Sequence, residues 1–345
     1  MSDIIRALVQ KITANQPYDE SEIRSGFGEI MSGEVSPTLI SAFLIALKMR
    51  GETPADITAG AATLRSMAQL ITAPKDAIDI VGTGGDGVGT YNISTATAFV
   101  VAGCNVPVAK HGNRAVSSKS GAADVLTSLG VNLDCDFARL EQALQEANIC
   151  FLMAPRHHSA MRHVGPVRAE LGTRTIFNLL GPLSNPALVD RIMVGVYDSQ
   201  WCRPFAEALH ALGTKNAWVV HGADGLDEVT TTTKTIVAEL KDGVISEFEI
   251  SPEDYDIAPS KLADLKGGDG AENARSLRAL LANDDNASAA YRDIVLFNAA
   301  AALSGSGHAE TIQEGLDRAR QSLASGAALQ ALDKLIAITN QDAVS

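Results

Sequence analysis

The chain is short of basic residues and cysteines and has no long apolar run, and each shortage removes a class of function. Lysine and arginine number 28 against 41 acidic residues, a formal net charge of −13. Non-specific binding of nucleic acid or of an anionic membrane surface needs a basic face, so neither partner is expected. Cys104, Cys135, Cys150 and Cys202 stand far apart with no Cys-x-x-Cys pair, and read as reduced thiols of a cytoplasmic protein. No uninterrupted apolar stretch is long enough to span a bilayer, and the opening Met-Ser-Asp-Ile-Ile-Arg does not have the pattern of a signal peptide. There is no internal repeat. What is present is ordinary globular material: 345 residues, 46% hydrophobic and 20% charged, long enough for two lobes.

The first 70 residues or so carry helical periodicity and no convincing strand. Ile4, Ile5, Leu8, Val9 and Ile12 form one apolar stripe. Ser36-Pro37 and Thr53-Pro54 read as helix N-caps followed by proline, and Gly33 and Gly51 as helix ends. From about residue 77 short apolar runs alternate with helices. Strands are expected at 78–81, 106–109, 149–153, 191–197 and 216–221, and helices near 95–103, 120–129, 136–147 and 201–212. That alternation predicts an α/β fold with a mostly parallel sheet flanked by helices. Lys234–Leu240 and Val244–Ile250, joined around Asp242-Gly243, predict an antiparallel hairpin at the sheet's edge. Beyond about 271 the chain is Ala/Leu-rich helix. The stretch 155–187, crowded with Arg and His, fits neither pattern and is expected to pass back to the helical lobe. The domain reading is therefore residues 1–72 as a small helical domain, joined by part of 165–187, with 73–164 and 188–345 as a large α/β domain.

The most informative stretch is Gly82-Thr-Gly-Gly-Asp-Gly-Val-Gly-Thr-Tyr-Asn-Ile-Ser-Thr95, between a strand and a helix. Five glycines in eight positions pack nothing, but they let backbone N–H groups approach an anion at a helix N-terminus. The spacing Gly82-x-Gly84-x-x-Gly87 matches a dinucleotide fingerprint only formally. The ribose-binding carboxylate expected about 20 residues later is missing, and Asp86 would face a pyrophosphate. A Walker A reading fails because Thr90 stands where lysine is required. A second run, Lys110-His-Gly-Asn-Arg-Ala-Val-Ser-Ser-Lys-Ser-Gly121, sets Lys110, Arg114 and Lys119 among hydroxyls after the strand 106–109. It is read as a second phosphate-contacting loop at the same sheet edge. The third element, Asp227-Glu228, is either a solvated acidic turn or a pair suited to Mg²⁺, which takes one or two carboxylates and completes its shell with water and phosphate. Together the three imply a ligand carrying phosphate groups that reacts with a smaller molecule.

At these residues the chain resembles the anthranilate phosphoribosyltransferase family. The family's Gly-Thr-Gly-Gly-Asp and Thr-x-Asn-Ile/Val-Ser-Thr stand at Gly82–Asp86 and Thr90–Thr95, and its Lys-His-Gly-Asn-Arg-x-Val-Ser-Ser-Lys-Ser-Gly at Lys110–Gly121. Its Asp-Glu stands at Asp227-Glu228, and its Val-Arg-x-x-Leu-Gly-x-Arg-Thr-Ile-Phe-Asn run begins at Val167 and continues to Pro186. Many members have serine where this chain has Ala122, a change expected to tune affinity.

The resemblance implies transfer of phosphoribosyl from 5-phosphoribosyl-1-pyrophosphate to the amine of anthranilate, in tryptophan biosynthesis. It implies a donor site of Gly82, Gly85, Asp86, Thr90, Asn92, Ile93, Ser94, Thr95, Lys110, His111, Gly112, Asn113, Arg114, Ala115, Val116, Ser117, Ser118 and Ala122. Anthranilate falls to Asn113, Arg168 and the backbone at Gly82, and Mg²⁺ to Ser94, Asp227 and Glu228. A homodimer formed through the helical part is also implied.

The chemistry asks for leaving-group stabilisation and positioning rather than a covalent nucleophile, because an aryl amine is already neutral near pH 7. Arg168 suits a bidentate grip on the anthranilate carboxylate. His111 either accepts the amine's proton or packs within its loop; packing is expected. His157, His158 and His163 lack a recognised zinc spacing. Two alternatives remain: a non-catalytic nucleic-acid-binding relative of the same fold, and a nucleoside phosphorylase, for which the Asp-Glu pair would lack a purpose.

Overall fold

The computed structural model describes residues 3–114 and 119–341. It opens with four helices, α1 (Asp3–Thr13), α2 (Glu20–Ser32), α3 (Pro37–Arg50) and α4 (Pro54–Ser66). Their starts follow from the sequence chemistry. The Ser36 hydroxyl accepts the Leu39 N–H at 3.4 Å and the Thr53 hydroxyl accepts the Asp56 N–H at 3.2 Å, each ahead of a proline at the first turn. Gly33 and Gly51 end α2 and α3 at φ of 84° and 95°. Of the α1 stripe, Ile5, Leu8 and Ile12 are buried, whereas Ile4 faces outward.

The remaining helices are α5 (Ile93–Gly103), α6 (Ala122–Ser128), α7 (Phe137–Glu146), α8 (Ala154–His157), α9 (Gly165–Leu171), α10 (Phe177–Leu180), α11 (Cys202–Ala211), α12 (Gly270–Leu281), α13 (Ala289–Gly305), α14 (Ile312–Ala324) and α15 (Ala327–Thr339). The strands are β1 (Ile78–Gly82), β2 (Val108–Gly112), β3 (Ile149–Met153), β4 (Arg191–Gly195), β5 (Asn216–Gly222), β6 (Thr235–Lys241) and β7 (Val244–Ile250). They form one sheet in the order β3-β2-β1-β4-β5-β6-β7, parallel as far as β5 and antiparallel beyond it. Asp242 and Gly243 turn the final hairpin with φ of 52° and 76°, the left-handed pair that matches strand twist.

Apolar residues alternate between two cores. Met193, Trp218 and Val220 face the layer of α5, α7 and α12–α15, while Ile192, Val194 and Val219 face α11 and the four N-terminal helices. The stretch after β3 breaks into the short helices α8–α10 and contributes Val164, Val167, Ile176, Phe177 and Leu180 to that second core. Gly60 of α4 permits the approach, since a Cβ there would meet Leu180 and Phe27. Strand order reverses around β1, so α5 leaves over one face and α11 over the other, which makes a crevice at the β1–β4 edge.

Two strands differ from their expected bounds by two residues or more, and β1, β5 and β6 by one. β2 starts two residues late and runs on through Lys110 and His111, because β3 supplies partners in register: Lys110 opposite Phe151 and His111 opposite Leu152. β4 stops at Gly195 rather than 197, because the Tyr197 N–H turns to the Thr83 hydroxyl at 3.0 Å.

Four adjacent strands, β2, β1, β4 and β5, end in glycine, at Gly112, Gly82, Gly195 and Gly222. A Cβ on Gly195 would overlap the Asp227 carbonyl, one on Gly82 the Asp227 carboxylate, and one on Gly222 Asp224 and Thr230. The loop after β5 therefore lies across bare strand ends. Gly195→Ala should cost about 1–3 kcal/mol through backbone overlap, measured by urea unfolding; an unchanged midpoint would show that the loop can lift at no cost.

Candidate active site

The glycine loop of residues 83–92 rises from the end of β1. Gly84, Gly85, Gly87 and Gly89 all have φ between 68° and 80°, which other residues rarely adopt. The loop is tied down from several sides. The Thr83 N–H donates to Gly195 O at 2.9 Å, and the Gly84 N–H donates to Asp227 Oδ2 at 2.7 Å. Lys266 Nζ donates to Val88 O at 2.5 Å, and the Gly267 N–H to Gly89 O at 3.0 Å. The loop then delivers the chain into α5, where the Ser94 N–H donates to Glu228 Oε1 at 3.1 Å.

Lys110 completes this corner. It sits on β2 rather than in a loop, which corrects the expected placement of both Lys110 and His111, and the strand's alternation sends the two to opposite faces. Lys110 is buried, and its ammonium donates to Ile80 O at 2.5 Å and to the Ser94 hydroxyl at 3.2 Å. Asp79, the other charged side chain between these strands, accepts the His111 N–H at 3.1 Å and the Asn185 amide at 2.8 Å. β1 and β2 pair in register only at Ile78 and Val108. Beyond that point side chains replace backbone bonds and hold the strands apart at the edge where the loops begin.

Asp227 and Glu228 do not form a solvated acidic turn, one of the two readings of the pair; Asp227 is buried and Glu228 half-buried, because the bare glycine ends let their loop sink. Burial, then the neighbouring Asp86, pushes the Asp227 carboxyl up to about 7. Burial, then Asp227, pushes Glu228 well above the usual carboxylate range, against the pull of Lys110. Burial likewise lowers Lys110 and raises Asp86. Three carboxylates thus share a corner with one buried ammonium, an excess of negative charge that fits a divalent cation. Among the described residues no group of three or more His, Cys, Asp or Glu is arranged to hold a metal. Ser94 stands beside the acidic pair, its N–H donated to Glu228 and its hydroxyl taking the Lys110 ammonium; Mg²⁺ needs only one or two protein carboxylates, since water and substrate oxygens fill its shell.

The opposite face of β2 opens on a cavity of about 380 Å³ lined by His111, Asn113, His158, Arg168, Leu64, Met161 and Phe177 among others. Arg168 is half-buried on α9, its guanidinium carbon 5.7 Å from the Phe177 ring centre. His111 Nδ1 lies 3.2 Å from Gly181 O, so the N–H belongs on Nδ1 and the lone pair on Nε2. Burial, then the adjacent His158, lowers His111 to about 3, so it stays neutral at physiological pH. His158 packs edge-on at 5.3 Å, His157 Nδ1 donates to Gln69 O at 2.7 Å and its ring stacks on Phe137, and the His163 ring covers Gly33.

Other expected residues fall as follows. Asn92 is bound to Ser120 and to the Asn273 amide, at 2.8 Å in the second case. Thr90 bridges to Lys266, and Thr95 is buried. Arg114 is exposed and pairs with Asp124 at 3.4 Å, while Lys119 is exposed. Ala122 opens α6 beside Gly112. Ala115, Val116, Ser117 and Ser118 lie outside the described residues. Sequence reasoning missed Lys266 and Asn273, which carry no local motif, and Arg174, whose guanidinium donates to Gly85 O.

The raised carboxyls make metal-free stability depend on pH. A folded pKa above the ordinary 3.8 means that the stabilisation is whole below that value and is lost as pH rises through about 7. Asp227→Asn keeps an acceptor for the Gly84 N–H and removes the titration. In metal-free protein the variant's melting temperature should gain on the wild type between pH 5 and pH 8; a constant difference would contradict the burial of this charge.

Comparison with known proteins agrees with this geometry. Residues 74–329 match the α/β domain of the glycosyl transferase family, and residues 2–68 match its helical bundle domain. The chain is 55% identical over 335 residues to the anthranilate phosphoribosyltransferase of Parvibaculum lavamentivorans, covering 97% of each chain. It is 56% identical over 336 residues to that of Azospirillum brasilense, covering 97% of this chain and 93% of the relative. The Thermus thermophilus enzyme superposes with a TM-score of 0.91 at 41% identity, over 97% of this chain and 99% of that one. The Saccharomyces cerevisiae enzyme, solved in complex with PRPP and Mg, superposes with a TM-score of 0.89 at 28% identity, over 98% of each. With identity above one half sustained over nearly its whole length, the chain belongs to the anthranilate phosphoribosyltransferases, glycosyl transferases with a helical N-terminal domain.

Proposed function

We propose that the chain transfers the phosphoribosyl group of 5-phosphoribosyl-1-pyrophosphate to the amine of anthranilate, releasing pyrophosphate, in tryptophan biosynthesis. The observation that carries this reading is the division of labour at the end of β2. Lys110 faces the glycine loop, Ser94 and the acidic pair, while His111 and Asn113 face an apolar cavity with a guanidinium in its wall. A multiply charged donor and a flat aromatic acid thus have adjoining places.

In this reading Gly82, Gly85, Asp86, Thr90, Asn92, Ile93, Ser94, Thr95 and Lys110 line the donor site. The run His111–Ser118 with Ala122 completes it, although Ala115–Ser118 lie outside the described residues. Ser94, Asp227 and Glu228 hold Mg²⁺, which when bound neutralises charge on the departing pyrophosphate. Lys110 adds a fixed positive charge on the same side, where burial strengthens its pull on an anionic leaving group. Leu64, Met161 and Phe177 offer an apolar wall for the anthranilate ring, and Arg168 offers a planar fork for its carboxylate. Asn113 and the Gly82 backbone complete that grip, which sets the amine against C1 of the ribose. The neutral His111 takes no part in creating the nucleophile, because the aryl amine needs no base; burial makes it a poor proton acceptor. The helical unit, taken as residues 1–72 with part of 165–187, walls the acceptor side and carries the contact of a homodimer. We take the setting to be cytoplasmic; no described helix is long and apolar enough to cross a membrane.

The direct test follows anthranilate fluorescence in the presence of the donor and Mg²⁺. Loss of fluorescence that requires all three components is expected, and an unchanged signal would reject the activity. Arg168→Ala should raise the anthranilate KM about 10- to 100-fold, the effect of losing a charged hydrogen-bonding partner, with little change in the donor KM; equal changes would mean that Arg168 does not read the carboxylate. Asp227→Ala with Glu228→Ala should lower Mg²⁺-dependent kcat/KM by roughly 100-fold or more. Unaltered turnover would remove the metal assignment.

A further inference from the structure

We infer that Arg174 is a positioning residue for the donor: stacked on Tyr197, it pins the Gly85 carbonyl and so aims the next backbone amide, that of Asp86, at the diphosphate. This rests on the donor site proposed above but concerns a residue outside it.

Arg174 lies between α9 and α10, and its neighbours are fixed. Gly172 caps α9, Lys48 of α3 donates to the Thr173 hydroxyl, and the Thr175 N–H donates to Asn178 Oδ1 at 3.0 Å. From this anchored backbone the side chain reaches the glycine loop. Its Nη2 donates to Gly85 O, and its guanidinium carbon lies 4.1 Å from the Tyr197 ring centre. Nη2 and Nε would stand 3.3 and 3.5 Å from a Cβ on Gly85, so the guanidinium lies close beside that residue. The platform is itself held, since Trp201 Nε1 donates to the Tyr197 hydroxyl at 3.1 Å and the Tyr197 N–H donates to the Thr83 hydroxyl at 3.0 Å.

A trans peptide is planar, and its carbonyl and following N–H point in opposite directions. Fixing Gly85 O toward Arg174 therefore fixes the Asp86 N–H away from it. On the other side Asp227 already takes the Gly84 N–H at 2.7 Å, so the peptides that flank the Gly84-Gly85 pair are held by two independent side chains. Four glycines in the left-handed region leave a loop that the unbound chain would sample widely. The strap removes that freedom before the donor arrives, and pre-organisation of this kind appears in donor affinity rather than in the acceptor's. Lysine cannot reproduce it, because an ammonium lacks the plane that lies on a ring while donating at its edge. A polar cavity of about 450 Å³ lined by Lys48, Glu52, Arg174, Tyr197 and Trp201 borders the stack, so shortening residue 174 opens no sealed void.

The test compares wild type, Arg174→Gln, Arg174→Lys and Tyr197→Leu by steady-state kinetics, thermal melting and calorimetric titration with Mg²⁺ and pyrophosphate. Arg174→Gln should raise the donor KM and the pyrophosphate Kd about tenfold, leaving the anthranilate KM and the melting temperature near wild type. Arg174→Lys should recover only part of the loss, and Tyr197→Leu should raise the donor KM in the same direction. An unchanged pyrophosphate Kd in Arg174→Gln, full recovery by lysine, or parallel loss of both substrates with a lowered melting temperature would each overturn the inference. Wild-type protein that binds pyrophosphate but consumes no anthranilate would reject the proposed activity instead, and the calorimetric comparison would still decide the role of Arg174.

Discussion

The structure depends on placing an acidic loop across the ends of three adjacent strands, β1, β4 and β5. That placement is possible because those strands end in glycine, and Gly195 in particular leaves space that the Asp227 backbone fills. Once there, Asp227 meets the glycine loop through the Gly84 N–H, and Glu228 meets the first turn of α5 through the Ser94 N–H. Burying two adjacent carboxylates is unfavourable unless a cation answers them. Lys110 answers in part, and the remainder is a standing demand for positive charge. The binding of a metal together with a phosphorylated sugar is the relief that this arrangement invites.

A second consequence follows from the strand that carries Lys110. Because β2 extends to Gly112, consecutive side chains serve opposite faces of the sheet. Lys110 belongs to the charged corner under α5, and His111 to the apolar cavity between the sheet and α9–α10. Asp79 and Asn185 keep β1 and β2 from closing their ladder above Ile78. Two environments, one ionic and one apolar, thereby meet at one edge of the sheet and stay separate.

Much of this could be read from residues alone. Helix starts at Ser36 and Thr53, the hairpin turn at Asp242-Gly243 and the strand-loop-helix around residues 82–95 each rest on local chemistry, and each is present. The membership of Lys110 and His111 in β2 was not legible, because their partners, Phe151 and Leu152, lie some 40 positions away and impose the extended form on a polar sequence. The burial of Asp227 was hidden for a similar reason, since glycines on two other strands, Gly82 and Gly195, decide it. Arg174, Lys266 and Asn273 act on the glycine loop or on Asn92 through tertiary contacts. Of the three only Arg174 had a hint, its place in the family run that begins at Val167 and in a cation-rich stretch between lobes.

The most direct measurement is anomalous diffraction from crystals grown with Mn²⁺ and 5-phosphoribosyl-1-pyrophosphate. A manganese peak bridging the donor's phosphate oxygens and the Asp227-Glu228 carboxylates, with the diphosphate against the Gly85-Asp86 backbone, is the expected result. Manganese and donor bound at another face, such as the polar cavity beside Lys48 and Glu52, would contradict the convergence of glycine loop, lysine and acidic pair on one ligand.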